Sequence, residues 1–287
     1  MKNIPIRHIN PAKTSPDPFE SFNIRNIRDL LGGKDMIQEL HRHNFFFILA
    51  LEKGKGSHEI DFTPYNIRNN SVFVLRPGQV HRLKLNADSA GYLMEFKTDY
   101  LFPHDSLLKQ LVRSVSNNTC YQFDRKGMKK LLAILDFVFQ EYKNKADRYH
   151  EVIKANLSIF LIELNRNRTN QKNHSNAGNT YAQERLDKFF ELLELHISKQ
   201  KLVSQYAGML NLSPYQLNAI TRTLHGKPCS ALINEYIVLE SKRYLLATPN
   251  QVNQIAYYLG YEDISYFIRF FKKHTGYSPE AFRNKFK

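Results

Sequence analysis

Residues 251–283, QVNQIAYYLGYEDISYFIRFFKKHTGYSPEAFR, constrain the fold of this 287-residue chain more tightly than any other stretch. Ile255, Ala256 and Leu259 recur at helical spacing and give one apolar face. Gly260 is placed to end that helix, because glycine accepts the left-handed conformation that a helix C-terminus often needs. Asp263 suits the N-cap of a second helix, whose buried side is predicted to be Phe267, Phe270 and Phe271. Ser265, Arg269, Lys272 and Lys273 are left for the outer side, and Ser278-Pro279 opens a third helix. The pattern occurs once before, about fifty residues earlier. In 203–224, VSQYAGMLNLSPYQLNAITRTL, Ala207 and Leu210 stand where Ala256 and Leu259 stand, and Asn211 replaces Gly260. Ser213 caps the next helix, Pro214 fits its first position, and Leu217 and Ile220 answer Phe267 and Phe270. Between the copies, 230–247 is a helical pattern without Gly or Pro. A turn of this kind before a basic second helix suits a helix-turn-helix, whose second helix enters the DNA major groove.

Ile255-Ala256-Tyr257-Tyr258-Leu259-Gly260-Tyr261-Glu262-Asp263, then Ser265-Tyr266-Phe267, Arg269-Phe270-Phe271-Lys272-Lys273, Gly276 and Ser278-Pro279 carry a specific likeness. Residues 184–286 resemble the DNA-binding domain of the AraC/XylS family of bacterial transcription regulators. The resemblance implies two helix-turn-helix units, about 203–224 and 251–274, joined by a linker helix, with two recognition helices in successive major grooves. In the first, Tyr215, Asn218, Ala219 and Arg222 are expected to face DNA; in the second, Ile264, Ser265 and Arg269, with Lys272 and Lys273 on phosphates. Asn218 is suited to adenine, and Ala219 to a thymine methyl. Arg269 is the one long donor able to grip guanine through two hydrogen bonds, and a phosphate contact is the competing reading.

The first half reads differently. Phe45–Leu51 is apolar throughout and ends at Gly54-Lys55-Gly56. Ser57–Phe62, Ser71–Leu75, Val80–Leu85 and Gly91–Lys97 follow as further strand signals, with Pro64 and Pro77-Gly78 between them. Short strands with frequent Gly/Pro turns indicate a small barrel or sandwich. His41-Arg42-His43, Gly54-Lys55-Gly56 and Arg76-Pro77-Gly78-Gln79-Val80-His81 make this part similar to the cupin-type effector domain of many AraC/XylS proteins. Cupin enzymes hold a metal with two histidines, a glutamate and a third histidine. His41, His43 and His81 align with the histidines, but Phe47 stands in the glutamate's place. Three imidazoles can still hold zinc or iron. The missing carboxylate favours a metal-free barrel, in which His41, His43, Phe47 and His81 line a pocket for a small-molecule effector. No metal and no other cofactor is expected.

Two helices are predicted after the strands. Met128, Leu131, Leu135, Val138 and Tyr142 step by three and four, as do Ile153, Leu157, Phe160 and Leu164. That seam spacing, with Leu132 and Phe139 widening the first stripe, predicts a homodimer through 128–165. Residues 166–180 have almost no apolar content and read as a flexible linker. The expected layout is therefore two domains: an all-β, cupin-like effector and dimerisation domain with two C-terminal helices (1–165), then an all-α DNA-binding domain (181–287).

Net charge is +14, which favours a polyanionic partner without choosing one. Residues 181–287 hold 14 Lys and Arg against 9 Asp and Glu, so the excess is not concentrated in the presumed DNA reader. The expectation of DNA rests on the motif. No stretch approaches the ~20 apolar residues of a membrane span, and the start lacks the apolar run of a secretory signal. With only two cysteines, Cys120 and Cys229, in different proposed domains, a reducing cytoplasm fits. No nucleotide-binding glycine loop, CxxC pair or Gly-x-Ser-x-Gly elbow occurs. The expected function is a sequence-specific transcription regulator, effector-responsive and by family resemblance an activator, acting on double-stranded DNA with RNA polymerase as a further candidate partner. A metal-dependent cupin enzyme with an appended helical domain, and a non-specific nucleic-acid binder, are the alternatives.

Overall fold

The computed structural model describes residues 6–7, 9, 22–98, 105–173 and 180–286. It divides into two compact units, one within 5–175 and the other within 176–287. The first contains strands β1 (Ile6–Arg7), β2 (Phe22–Asn26), β3 (Met36–His43), β4 (Phe46–Lys53), β5 (Gly56–Ile60), β6 (Thr63–Ile67), β7 (Ser71–Leu75), β8 (Val80–Leu85), β9 (Ala90–Phe96) and β10 (Cys120–Gln122). Its helices are α1 (Ile27–Leu31), α2 (Ser106–Ser116), α3 (Arg125–Asn144) and α4 (Tyr149–Asn173). The strands form two five-stranded sheets, ordered β1-β3-β8-β5-β6 and β10-β7-β4-β9-β2.

The sheets face each other across one core, built from Phe45, Phe47, Leu49, Phe73, Leu75 and Leu93 on one side and Ile60, Ile67, Leu83 and Leu85 on the other. A second core lies between the back of the second sheet and the helices, where Phe46, Ile48, Ala50, Met94 and Phe96 meet Met128, Leu131, Leu135, Val138, Ile153, Leu157, Phe160 and Leu164. This explains the unbroken apolar run Phe45–Leu51. As the central strand of its sheet, β4 is buried on both faces, so the alternation expected of a half-exposed strand disappears.

The structure departs from the sequence expectation in three places. Residues 22–31, which lie ahead of the predicted strands, form β2 and α1, with Ile24, Ile27 and Leu31 in the two cores. Among the described residues, three helices follow the nine strands β1–β9, not two: α2 precedes the two expected, and buries Val112 and Val115. Residues 166–173, read as linker, continue α4, while 174–179 lie outside the described residues. Arg, Gln and Lys are good helix formers, so an established helix can run on through a segment that lacks apolar side chains.

The second unit is all-helical: α5 (Thr180–His196), α6 (Val203–Met209), α7 (Pro214–His225), α8 (Cys229–Ala247), α9 (Val252–Tyr258), α10 (Ile264–Thr275) and α11 (Pro279–Phe286). The long α8 packs against α6, α7, α9, α10 and α11, and buries Cys229, Leu232, Ile233, Ile237, Leu245 and Leu246. Its C-terminal end is closed from α11: the buried Arg283 donates from Nε to the Leu245 carbonyl at 2.9 Å and from Nη2 to the Asn250 carbonyl. A cation there satisfies the orphan carbonyls and the negative end of the helix dipole together.

Candidate DNA interface and the histidine cluster

The two turn-and-helix units are built by the same local chemistry. Ser213 Oγ accepts from the Gln216 amide at 3.2 Å, and Gln216 Oε1 accepts from the Ser213 amide at 2.8 Å, a reciprocal cap at the start of α7. Asp263 Oδ1 accepts from the amides of Ser265 (2.7 Å) and Tyr266 (3.1 Å) at the start of α10. Asn211 and Gly260 take the left-handed conformation in the two turns, with φ of 54° and 73°. From the caps onward the units align at a constant offset: Leu217 and Thr221 are buried in α7 where Phe267 and Phe271 are buried in α10. Thr221 was not among the predicted core positions; its hydroxyl donates to the Asn218 carbonyl, which lets it sit inside. Gly260 is also held from outside its own unit, since Lys201 Nζ donates to its carbonyl at 3.0 Å and lies over the Tyr261 ring at 5.0 Å.

On α7, Tyr215 (83 % exposed), Ala219 and Arg222 are open to solvent. On α10, Ser265, Arg269, Lys272 and Lys273 are open, Ile264 is half-buried, and Tyr266 is exposed. Arg269 reaches only a loose 3.9 Å pairing with Asp263, itself exposed, and so keeps its donors available. Asn218 differs from the expectation. Its Nδ2 donates to the Pro214 carbonyl and its Oδ1 accepts from the Cys229 amide, both at 3.0 Å. The side chain expected to read adenine is therefore engaged at the start of α8, where a free helix N-terminus needs an acceptor.

In the sandwich, His41 and His43 alternate onto the inner face of β3. His81 of β8 lies directly opposite His41, and His58 of β5 joins from the next strand. All four are at most 4 % exposed. His43 Nε2 is 2.6 Å from His81 Nε2, His81 Nδ1 is 2.8 Å from His58 Nε2, and His41 Nδ1 is 2.7 Å from the Glu39 carbonyl. Phe47 stacks nearly parallel on His43 at 5.3 Å, and Phe73 lies 5.0 Å from His58. Burial pushes every imidazole toward its neutral form: His41 to about 4, His43 and His58 to about 3, and His81 well below its usual value. Their mutual repulsion and the positive charge of Arg7 act in the same direction on His43 and His81.

The structure thus brings His41, His43, Phe47 and His81 together, but ring against ring and not around an open pocket. Room for a small molecule exists on the other side of the second sheet. A groove of about 420 Å³ runs under α3, lined by Asn26, Arg28, Glu52, Tyr92, Lys129 and Asp136 among others. His58 escaped the sequence reading, although its two-residue spacing from the inward Ile60 marks it as facing inside.

Residues 35–135 match the AraC-like ligand binding domain, and residues 206–285 match a helix-turn-helix domain. Similar proteins include the HTH-type transcriptional activator RhaR of Enterobacter sp. (strain 638), 21 % identical over 264 residues, with 85 % of this chain and 86 % of RhaR covered. Another is the HTH-type transcriptional activator RhaS of Escherichia fergusonii, 24 % identical over 251 residues with the same coverage. A crystal structure of unsaturated fatty acid bound ToxT from Vibrio cholerae strain SCE256 aligns over 92 % of this chain and 95 % of that one, at 16 % identity and a TM-score of 0.43. A ligand-binding sandwich and a paired helix-turn-helix unit in this order, each matching its family domain, place the chain in the AraC/XylS family of DNA-binding transcription regulators.

Proposed function

We propose that the protein is an effector-responsive transcription activator that reads double-stranded DNA with α7 and α10. The observation that carries this reading is the matched pair of capped helices, each burying one face and presenting Arg222 or Arg269, Lys272 and Lys273 on the other. The RhaR and RhaS relatives are activators by name, which makes RNA polymerase the natural second partner. No helix among the described residues is long and apolar enough to cross a membrane, in keeping with action on DNA in the cytoplasm. Effector binding is assigned to the groove under α3, whose volume lies within the usual range for small-molecule sites.

Tyr215, Ala219, Arg222, Ser265 and Arg269 face the DNA in this reading, Ile264 lies at the edge, and Asn218 supports α8. Arg269 reads guanine, and Arg269→Ala should cost about 1–3 kcal/mol and relax preference at one base pair. Lys272→Ala and Lys273→Ala should weaken all sites alike and each reduce the salt slope by about one. Selection of sites from random DNA, followed by binding at several salt concentrations, checks both. Uniform weakening with a reduced salt slope for Arg269→Ala would move that residue to a phosphate.

The family architecture also supports a homodimer, but not through the predicted seams. Met128, Leu131, Leu135 and Val138, with Ile153, Leu157, Phe160 and Leu164, are all consumed inside the unit. Among the described residues, the large apolar side chains left outward on α3 and α4 are Phe137, Ile159 and Ile162, at 51 %, 48 % and 40 % exposure. We assign the subunit contact to this face. Ile159→Asp combined with Ile162→Asp should leave a folded monomer by light scattering at micromolar concentration, where the unchanged protein is a dimer. A monomeric unchanged protein, with and without DNA, removes the assignment.

A further inference from the structure

We propose that the sandwich holds one divalent first-row metal ion on Nε2 of His41, His43 and His81. The three ligand atoms lie within 4.8 Å of one another, on side chains that are all buried. Two neighbouring strands set their spacing: His41 and His43 are two residues apart on β3, and His81 pairs with His41 across β8.

Proton accounting argues for an ion. His41 Nδ1 sits 2.7 Å from the Glu39 carbonyl, which can only accept, so that nitrogen carries the proton. Nε2 of His41 is then a bare lone pair, buried and without a partner. The other three imidazoles form a chain of two hydrogen bonds, His43 to His81 to His58, and Nδ1 of both His43 and His58 is buried without a partner. Those two Nδ1 atoms stay unmatched with or without an ion, but the His41 lone pair, costly to leave bare in a dry site, does not. An ion takes up the lone pair of His41 and those of the two Nε2 atoms that otherwise meet at 2.6 Å.

The outward nitrogens support this. With Nε2 on the ion, His41 and His81 each keep an Nδ1 proton, aimed at the Glu39 carbonyl and at His58 Nε2. A metal-bound imidazole ordinarily makes such a bond with its second nitrogen, which fixes ring and tautomer. His58 is therefore a positioning residue, not a ligand. Ligands at 2.0–2.1 Å in a tetrahedral set stand about 3.3 Å apart, so His43 and His81 must part by less than ~1 Å.

An all-imidazole set favours zinc, iron, copper or nickel over magnesium or calcium. Three neutral rings leave the ion's charge uncompensated. Arg7 pairs in register with His43, and Arg25 adds to the local positive charge, with Glu95 bonded to Arg25 at 2.9 Å. The fourth position thus favours an anion, hydroxide in the simplest case.

The test uses the full chain, stripped with chelator and titrated with Co(II) in the absence of DNA. The expected result is a set of visible d–d bands that saturates at one equivalent, is displaced by Zn(II) and accompanies a raised thermal midpoint. His41→Gln keeps a donor for the Glu39 carbonyl and should lose the bands. His58→Gln should weaken binding about 10–100-fold. A folded, unchanged protein that shows neither bands nor a midpoint shift with Co(II), Zn(II) or Fe(II) overturns the site, and so does His41→Gln with its bands intact.

Discussion

Gly260→Ala should destabilise the second unit by about 2–5 kcal/mol, the sum of a left-handed backbone penalty and a forced repacking. Gly260 has φ of 73°, and a Cβ built on it would lie 1.8 Å from the Ser198 carbonyl oxygen and 2.7 Å from Lys201 Nζ. The lysine tip can swing away, but the carbonyl is backbone and can yield only if the segment preceding α6 moves. Such a cost takes a large share of the 5–15 kcal/mol that stabilises a typical domain. DNA binding should fall with it, because the turn that aims α10 is the one displaced. Gly276 provides the control. It is also left-handed, with φ of 79°, but nothing lies within 4 Å of its Cβ position. Gly276→Ala should therefore show only the backbone part, about 1–2 kcal/mol. Urea unfolding of the two variants separates the contributions, and equal losses would show that the Ser198 contact contributes nothing.

Acid should destabilise the sandwich before carboxylate protonation becomes important. In the folded unit His41 titrates near 4, and His43 and His58 near 3, all depressed first by burial. In the unfolded chain each titrates near 6.5. Between those values the unfolded state binds more protons, so stability rises with pH across the window and is lost as pH falls below about 6.5. At pH 5 the linkage amounts to about 2 kcal/mol for one such imidazole, and several together rival the stability of a domain. A chelator-treated sample should show a thermal midpoint that is level above pH 7 and drops steadily between pH 6.5 and 5. Ring resonances of His41, His43 or His58 that titrate near 6.5 in the folded protein, or a midpoint level down to pH 5, would contradict it. Bound metal requires the same neutral imidazoles, so its loss in acid carries the same sign.

Much of the second unit was legible because its instructions are short-range. Caps act over two or three residues, left-handed turns need one residue, and apolar periodicity repeats every three or four. Ser213, Asp263, Asn211 and Gly260 therefore announce two helix-turn-helix units without any knowledge of what packs on them. Phe45–Leu51 likewise announces a buried strand, and His41, His43 and His81 announce a shared site through their two-residue spacing and their likeness to a family motif.

The remaining features depend on partners far along the chain, and no local pattern encodes those. Asn218 faces outward on its own helix and is still claimed by the amide of Cys229, eleven residues on. Gly260 reads like any helix-ending glycine until the Ser198 carbonyl is found against it. The stripes on α3 and α4 have the spacing of a subunit seam, but an apolar stripe buries equally well against a sheet, and here the back of the second sheet took it. His58 completes the imidazole cluster because β5 pairs with β8 in a register that sets it beside His81. Conformational preference is a property of a few neighbouring residues and survives in the sequence, whereas burial and hydrogen-bond partnership are properties of surfaces that meet only after the chain has folded.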